Sequence, residues 1–284
     1  MPPLVALIID WILTAFWPLI GAVGSRHYSG LLFSTGGLLV GFLCLLPWLV
    51  QKGRWRALFS RRTAPNLFMM GLFSGGASAI FITALNYTTP ANAAIMAQVE
   101  VLYSALLCAM LLKEKNPATQ SLASLLVVAG TGMIMFNDLS TPRWKGDLMI
   151  LVTPWMFQLS HIAAKRLPKG LDPITISGGR VFYGILAMAP ICVYSVVWGD
   201  ARWSWEPQAL AILGVQGLMM SCLNFILWYM AIFGMDLAKA TAIMLSYPAL
   251  TVVFSWALGH EQISGMQIAG LVITMTGASW VSRL

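Results

Sequence analysis

A chain of 284 residues that is 58% hydrophobic and 10% charged, with a mean hydropathy of +0.78, has too few polar groups to cover a soluble globule, which carries roughly 25% charged residues. The composition predicts an all-α integral membrane protein with no room for a separate soluble domain. The net charge of +7 is spread among short loops rather than gathered on one module, which argues against a nucleic-acid partner and for anionic lipid at the bilayer surface.

Ten apolar stretches follow in chain order, at about 4–23, 31–50, 65–85, 91–112, 118–136, 146–164, 172–198, 207–232, 237–259 and 264–281, each near the length of a span. The first is read as retained rather than as a cleaved signal. Met1, Pro2 and Pro3 supply no positive segment ahead of it, and Asp10 interrupts its apolar run. Asp10, Thr14 and Trp17 share one face of this span, with Asp10 close enough to its end for simple hydration to account for it.

Residues 51–66, between the second and third spans, mix Arg54, Arg56, Arg61 and Arg62 with Trp55, Leu58 and Phe59. That mixture suits an interfacial segment on the inner leaflet and equally a solvated basic loop. The glycine pairs Gly37/Gly41 and Gly71/Gly75 predict close helix contacts. Pro18, Pro47, Pro154, Pro190 and Pro248 fall inside spans and predict kinks. Cys44, Cys108, Cys192 and Cys222 lie inside spans without a CxxC pair or a nearby His, and read as apolar filler.

Lys and Arg collect on the cytoplasmic side of short loops. An inside N-terminus gives that side Lys52, Arg54, Arg56, Arg61, Arg62, Lys113, Lys115, Lys165, Arg166, Lys169, Lys239 and Arg283, against Arg26, Arg143, Lys145 and Arg202 outside. Both termini are expected in the cytosol.

The chain also repeats itself. At an offset of about 147 residues Ala91 matches Ala238, Glu114 matches Glu261, Gln120 matches Gln267 and Gly130 matches Gly277. Five spans per copy is an odd number, so the second copy enters the bilayer from the opposite side. The expected plan is two inverted five-helix repeats, 1–142 and 143–284, whose exchange of conformations supplies alternating access. Such a chain is built to move a solute rather than to catalyse. Its sequence offers no GxSxG, no phosphate-cradling GK[ST] and no second His to complete a zinc motif with His260 and Glu261, while His27, His161 and His260 are scattered. No metal, cofactor or ATPase partner is expected.

Leu258-Gly259-His260-Glu261-Gln262-Ile263-Ser264, followed by Gln267, Gly270 and Gly277, resembles the signature that closes each half of EamA-type members of the drug/metabolite transporter superfamily. Leu112, Lys113, Glu114, Lys115, Gln120 and Gly130 form the counterpart in the first half, and Leu171-Asp172-Pro173 through Arg180 resembles the entry to the second helix of a repeat. The resemblance covers essentially the whole chain and implies export of small metabolites. In length and general character the chain is most similar to the YddG-type aromatic amino acid exporters, which implies a bacterial inner-membrane location. Two departures mark divergence between the halves. Gly37 is uncharged near the position equivalent to Arg180, and Glu100-Val101 stands where the second copy has Tyr247-Pro248.

A charge at the centre of a span costs about 2.5–3.5 kcal/mol on insertion scales, so Glu100 and Arg180 need partners, water or a task. Met96, Glu100, Tyr103 and Leu107 share a helix face, with Gln98 nearly opposite. Glu100 fits an ammonium-binding or proton-exchanging role, or a structural pairing with Arg180. Arg180 fits an anchor or a transport residue, and His161 a titrating group or a hydrogen-bonded helix end. Trp155 and Tyr247 sit near mid-span. Trp155, Gln158 and His161 share a face, as do Asn224 with Trp228, and Met244 with Tyr247 and Thr251. The expected substrate contacts are Trp17, Glu100, Tyr103, Trp155, Gln158, Asn224, Trp228 and Tyr247, with Glu100, His161 and Arg180 as the proton or ion-pair set. An apolar cavity with a few polar groups suits amino acids with large side chains. A multidrug or nucleotide-sugar-like carrier of the same fold is the alternative. Each aromatic residue also has a plain packing or interfacial reading.

Overall fold

The structure, a computed structural model, describes residues 1–51, 53–100, 143–168, 170–199, 201–234, 246–259 and 262–281, together with positions 103, 107, 122, 125–127, 129, 130, 133 and 244. Glu114, Gln120, His260, Glu261, Cys108 and most of the predicted span 118–136 lie outside the described residues.

The described chain is helical. Helix α1, Pro3–His27, starts on a proline, whose missing N–H would find no helical partner there, and ends where Tyr28 turns extended with its N–H on the Gly24 carbonyl. Its outer face exposes Leu4, Val5, Ile8, Ile9 and Ile12, while Leu7, Asp10 and Ala15 turn inward. Helices α2 (Gly30–Gln51), α3 (Trp55–Leu58) and α4 (Ala64–Ala84) follow. Thr89 caps α5, Pro90–Met96, by accepting from the Asn92 N–H at 3.3 Å, and α5 passes into a 3₁₀ turn at Ala97–Val99.

In the second half α6 is Trp144–Lys165 and α7 is Pro173–Trp198, the latter capped by Asp172 through the Ile174 N–H at 3.0 Å. Helix α8, Pro207–Val215, continues through a π-helical stretch, Gln216–Asn224, into α9, Phe225–Gly234. Helix α10 is Tyr247–Ala257 and α11 is Gly265–Val281. Ser264 and Gln267 start α11 as a reciprocal cap: the Gln267 N–H donates to Ser264 Oγ at 3.1 Å and the Ser264 N–H to Gln267 Oε1 at 2.8 Å. The remaining amide of Gln267 donates to Asn92 Oδ1 at 2.6 Å, tying α11 to α5. The signature Gln is therefore both a cap and a buried cross-tie.

Among the described residues, five helical runs are long and apolar enough to cross a membrane: α1, α2, α4, α7 and the run Pro207–Ile232. Helix α6 is 22 residues long and is not among them. It carries Asp147, Gln158 and His161 and buries Ser160, whose hydroxyl donates to the Met70 carbonyl of α4 at 3.1 Å. One expectation is corrected. Pro248 does not kink a continuous span but stands in the first turn of α10, after a turn at Ser246, where its missing N–H is tolerated.

Helices α2, α4 and α7 pack mutually, and α6 lies along α4. Helix α1 lies along α9 and the π-helical stretch, while α5 contacts α1, α6, α10 and α11. Glycines set the closest approaches. A Cβ on Gly71 of α4 would land on the backbone of Tyr183 and Gly184 in α7, and one on Gly41 of α2 would collide with Ser221. Leu38, Leu45, Leu49, Leu67, Met70 and Tyr183 fill the resulting core.

Candidate substrate site

Glu100 follows the 3₁₀ turn that ends α5, and this places its side chain toward α6. The Gln158 amide donates to Glu100 Oε1 at 2.5 Å, and His161 Nδ1, one turn along α6, lies 3.8 Å from the same oxygen. The Glu100 and His161 side chains keep 30% and 31% of their surface accessible, although they face each other between helices. Gln98, two residues earlier in the 3₁₀ turn, is 1% exposed.

Around this pair, the Trp228 ring lies 6.0 Å from His161, and Trp155 meets Phe73 edge-on at 6.1 Å. Tyr103 donates its hydroxyl to the Leu151 carbonyl of α6 at 3.1 Å. Tyr247 and Arg180 both lie within electrostatic reach of the Glu100 carboxylate. Tyr247 opens α10, and Glu100 directly follows the 3₁₀ turn at the end of α5.

The direct Glu100–Arg180 pairing does not form. Arg180 is buried at the junction of α7, α4 and α9, its Nε donating to Ser74 Oγ at 3.0 Å and a terminal nitrogen to the Tyr229 hydroxyl at 3.4 Å. Its guanidinium lies 3.9 Å over the Phe225 ring. Trp17 stacks on Phe81 at 4.2 Å and meets Phe157 edge-on, a position at the edge of the packed core.

Two readings made from single helices change in three dimensions. Thr251 is buried and donates to the Ala15 carbonyl at 2.9 Å, so it joins α10 to α1 instead of facing substrate with Tyr247. Asp10 is 1% exposed, which rules out hydration as its explanation. The Asn224 amide donates to Asp10 Oδ1 at 2.6 Å and to Thr14 Oγ1 at 2.8 Å, so the face that Asp10 and Thr14 share on α1 meets a partner more than 200 residues away that no local pattern points to.

Comparison with known proteins agrees with this architecture. The model of the EamA-like transporter family matches residues 1–136 and again 144–283. An uncharacterized transporter of Methanothermobacter thermautotrophicus is 25% identical over 233 residues, covering 80% of this chain and 67% of that protein. The uncharacterized transporter YoaV of Bacillus subtilis is 20% identical over 261 residues, covering 90% of this chain and 88% of its own length. A crystal structure of a protein 16% identical in sequence superposes with a TM-score of 0.68 over 97% of this chain and 95% of that one, a likeness of fold. A multi-pass helical membrane protein matched by the family model along nearly its whole length, this chain belongs to the EamA-like transporter family.

Proposed function

We propose that this transporter exports amino acids, aromatic and other bulky neutral ones favoured, from the cytosol of a bacterial cell by alternating access. The observation that carries the reading is Glu100: a carboxylate held by Gln158, with 30% of its side-chain surface accessible and His161, Trp228 and Tyr247 around it, which we read as the wall of a substrate vestibule. A carboxylate takes the substrate's ammonium group through a charge-assisted hydrogen bond, and the neighbouring rings take a large apolar side chain. Interrupted helices at corresponding levels of two halves mark substrate sites in transporters of this plan, and the breaks beside Glu100 and Tyr247 fit that pattern.

The inverted-repeat plan, with ten spans divided at about residue 142, is supported by the double match of the family model and by reciprocal packing. Helix α4 lies along α6, and the run from α8 to α9 lies along α1, the same contact with the halves exchanged. The like-numbered helices α2 and α7 of the two halves face each other directly. The cytosolic placement of both termini rests on loop charge.

A carboxylate between aromatic rings also suits a lipophilic organic cation, which keeps a multidrug carrier as the second reading. Purified protein in liposomes separates the two. Uptake of labelled phenylalanine, competed by tryptophan and not by tetraphenylphosphonium, supports the first. Flux of the cation with none of phenylalanine sinks it.

A further inference from the structure

We infer that Asp10, Asn224 and Thr14 form a proton-binding site, separate from the Glu100 vestibule, through which a proton gradient drives export. The inference rests on the amino acid reading for its substrate alone. Three observations converge on it.

Asp10 lies inside α1, 1% exposed, and the outer face of the same helix presents Ile8, Ile9 and Ile12. At 1.5 Å per residue it sits about 10 Å inside the helix start. Intramembrane carboxyl groups are costly to keep and commonly mark proton relays.

The partner of Asp10 is neutral. It is the Asn224 amide, whose Nδ2 also donates to Thr14 Oγ1, and among the described residues no Lys, Arg or His lies within ion-pair distance of the carboxylate. Among the described residues, the titratable groups on the elements packed against α1 are engaged elsewhere or lie elsewhere. Tyr229 of α9 meets Arg180, Tyr247 of α10 lies toward Glu100, Cys222 of the π-helical stretch lies toward Cys44 of α2, and Glu100 itself is held by Gln158. On α1, Arg26 and His27 stand at the opposite end. A carboxylate with neutral partners accepts a proton without breaking an ion pair. The Asn224 amide then turns over, and its Oδ1 accepts from the carboxylic acid where its Nδ2 now donates to the carboxylate. One O–H bond forms and one amide hydrogen bond is exchanged for another, with the proton delivered by water when the transport cycle opens the cluster, which is closed to solvent in this conformation.

Asn224 is also placed to transmit the change. It is the last residue of the π-helical stretch, a conformation found frequently at functional sites and adjustable in register. Phe225, the next residue, lies under Arg180, and Trp228, one turn on, faces His161 beside Glu100. A change in the bond that Asn224 makes to α1 therefore bears on the helix that walls the vestibule.

The test is the ratio of amino acid flux with an imposed pH gradient to flux without one, in proteoliposomes of wild type and Asp10→Asn. The expected result is a ratio well above 1 that falls to 1 in the variant. A variant ratio equal to that of wild type overturns the proposal. So does a wild-type ratio of 1 while amino acids flow, which leaves the substrate reading intact, or a response to a sodium gradient instead. If no amino acid flows, the substrate reading fails and infrared difference spectroscopy decides the proton site: a carboxylic acid band that titrates with pH and is missing from Asp10→Asn supports it, and the absence of such a band overturns it. Should Asp10→Asn not fold, Asp10→Glu must move the pH midpoint of that band or of the gradient response, and an unmoved midpoint overturns the assignment.

Discussion

Gln158 of α6 donates to Glu100 at the end of α5, and this 2.5 Å hydrogen bond joins the two halves of the chain at the level of the candidate site. A neutral amide leaves the carboxylate its charge and its second oxygen. Pairing with Arg180 would have neutralised it and closed the site.

Glu100→Gln therefore keeps the shape of the site and a hydrogen-bonding partner for Gln158, and removes the charge that attracts an ammonium group. A charge-assisted hydrogen bond contributes roughly 1.5–3 kcal/mol, so amino acid flux should fall on the order of 10- to 100-fold. The thermal unfolding midpoint should stay near that of wild type. Unchanged transport with a lowered midpoint assigns Glu100 a structural role instead.

Arg180 is expected to act on stability. Its planar group satisfies Ser74 and Tyr229 while lying over Phe225, and a lysine ammonium cannot reproduce that set. Arg180→Lys should lower stability by on the order of 1–3 kcal/mol, read as the melting midpoint in detergent. A variant that melts like wild type and loses transport would show that Arg180 touches the substrate.

Gly71 and Gly214 make a matched comparison. Alanine at Gly71 drives its methyl group into the α7 backbone, which cannot move aside as a flexible side chain can, so Gly71→Ala should cost about 1–3 kcal/mol. A Cβ at Gly214 of α8 meets nothing within 4 Å. Gly214→Ala should be neutral or stabilise by up to about 1 kcal/mol through backbone entropy. Equal melting midpoints for the two variants would contradict the close α4–α7 contact.

These elements show which features the sequence made legible. Spacing alone marked Gly71 as a packing residue. Partners on other helices were hidden: nothing in α1 or α9 taken singly points to the Asp10–Asn224 bond, and the π-helical stretch shifts the phase of every residue after it. Thr251 stands one turn after Tyr247 in α10, as its spacing implies, but its hydroxyl finds the Ala15 carbonyl of α1, a partner that α10 alone does not show. Helix breaks and cross-chain hydrogen bonds are tertiary facts, and they build most of the site.

Asp172 both caps α7 and receives Arg54 Nε at 2.9 Å from the loop after α2. The cap satisfies a backbone N–H that has no helical partner, whereas the ion pair is partly exposed and screened. Asp172→Ala should therefore destabilise by on the order of 1 kcal/mol, and Arg54→Ala by a smaller amount. Thermal unfolding of both single variants checks the order, and a larger effect from Arg54→Ala would reverse the argument.

The inverted plan carries the strongest demand on topology. In the proposed plan five spans separate matched positions, so residues flanking Glu114 and Glu261 are expected to emerge on opposite sides of the membrane, the first in the cytosol and the second outside. Single cysteines introduced beside each, in an otherwise cysteine-free chain, should react with an impermeant maleimide from opposite faces of oriented vesicles. The same vesicles report the termini through tags, which should be accessible only from the cytosolic face. Labelling of both sites from one face would remove the pseudo-twofold relation, and with it the reason to expect that one vestibule serves both sides of the membrane in turn.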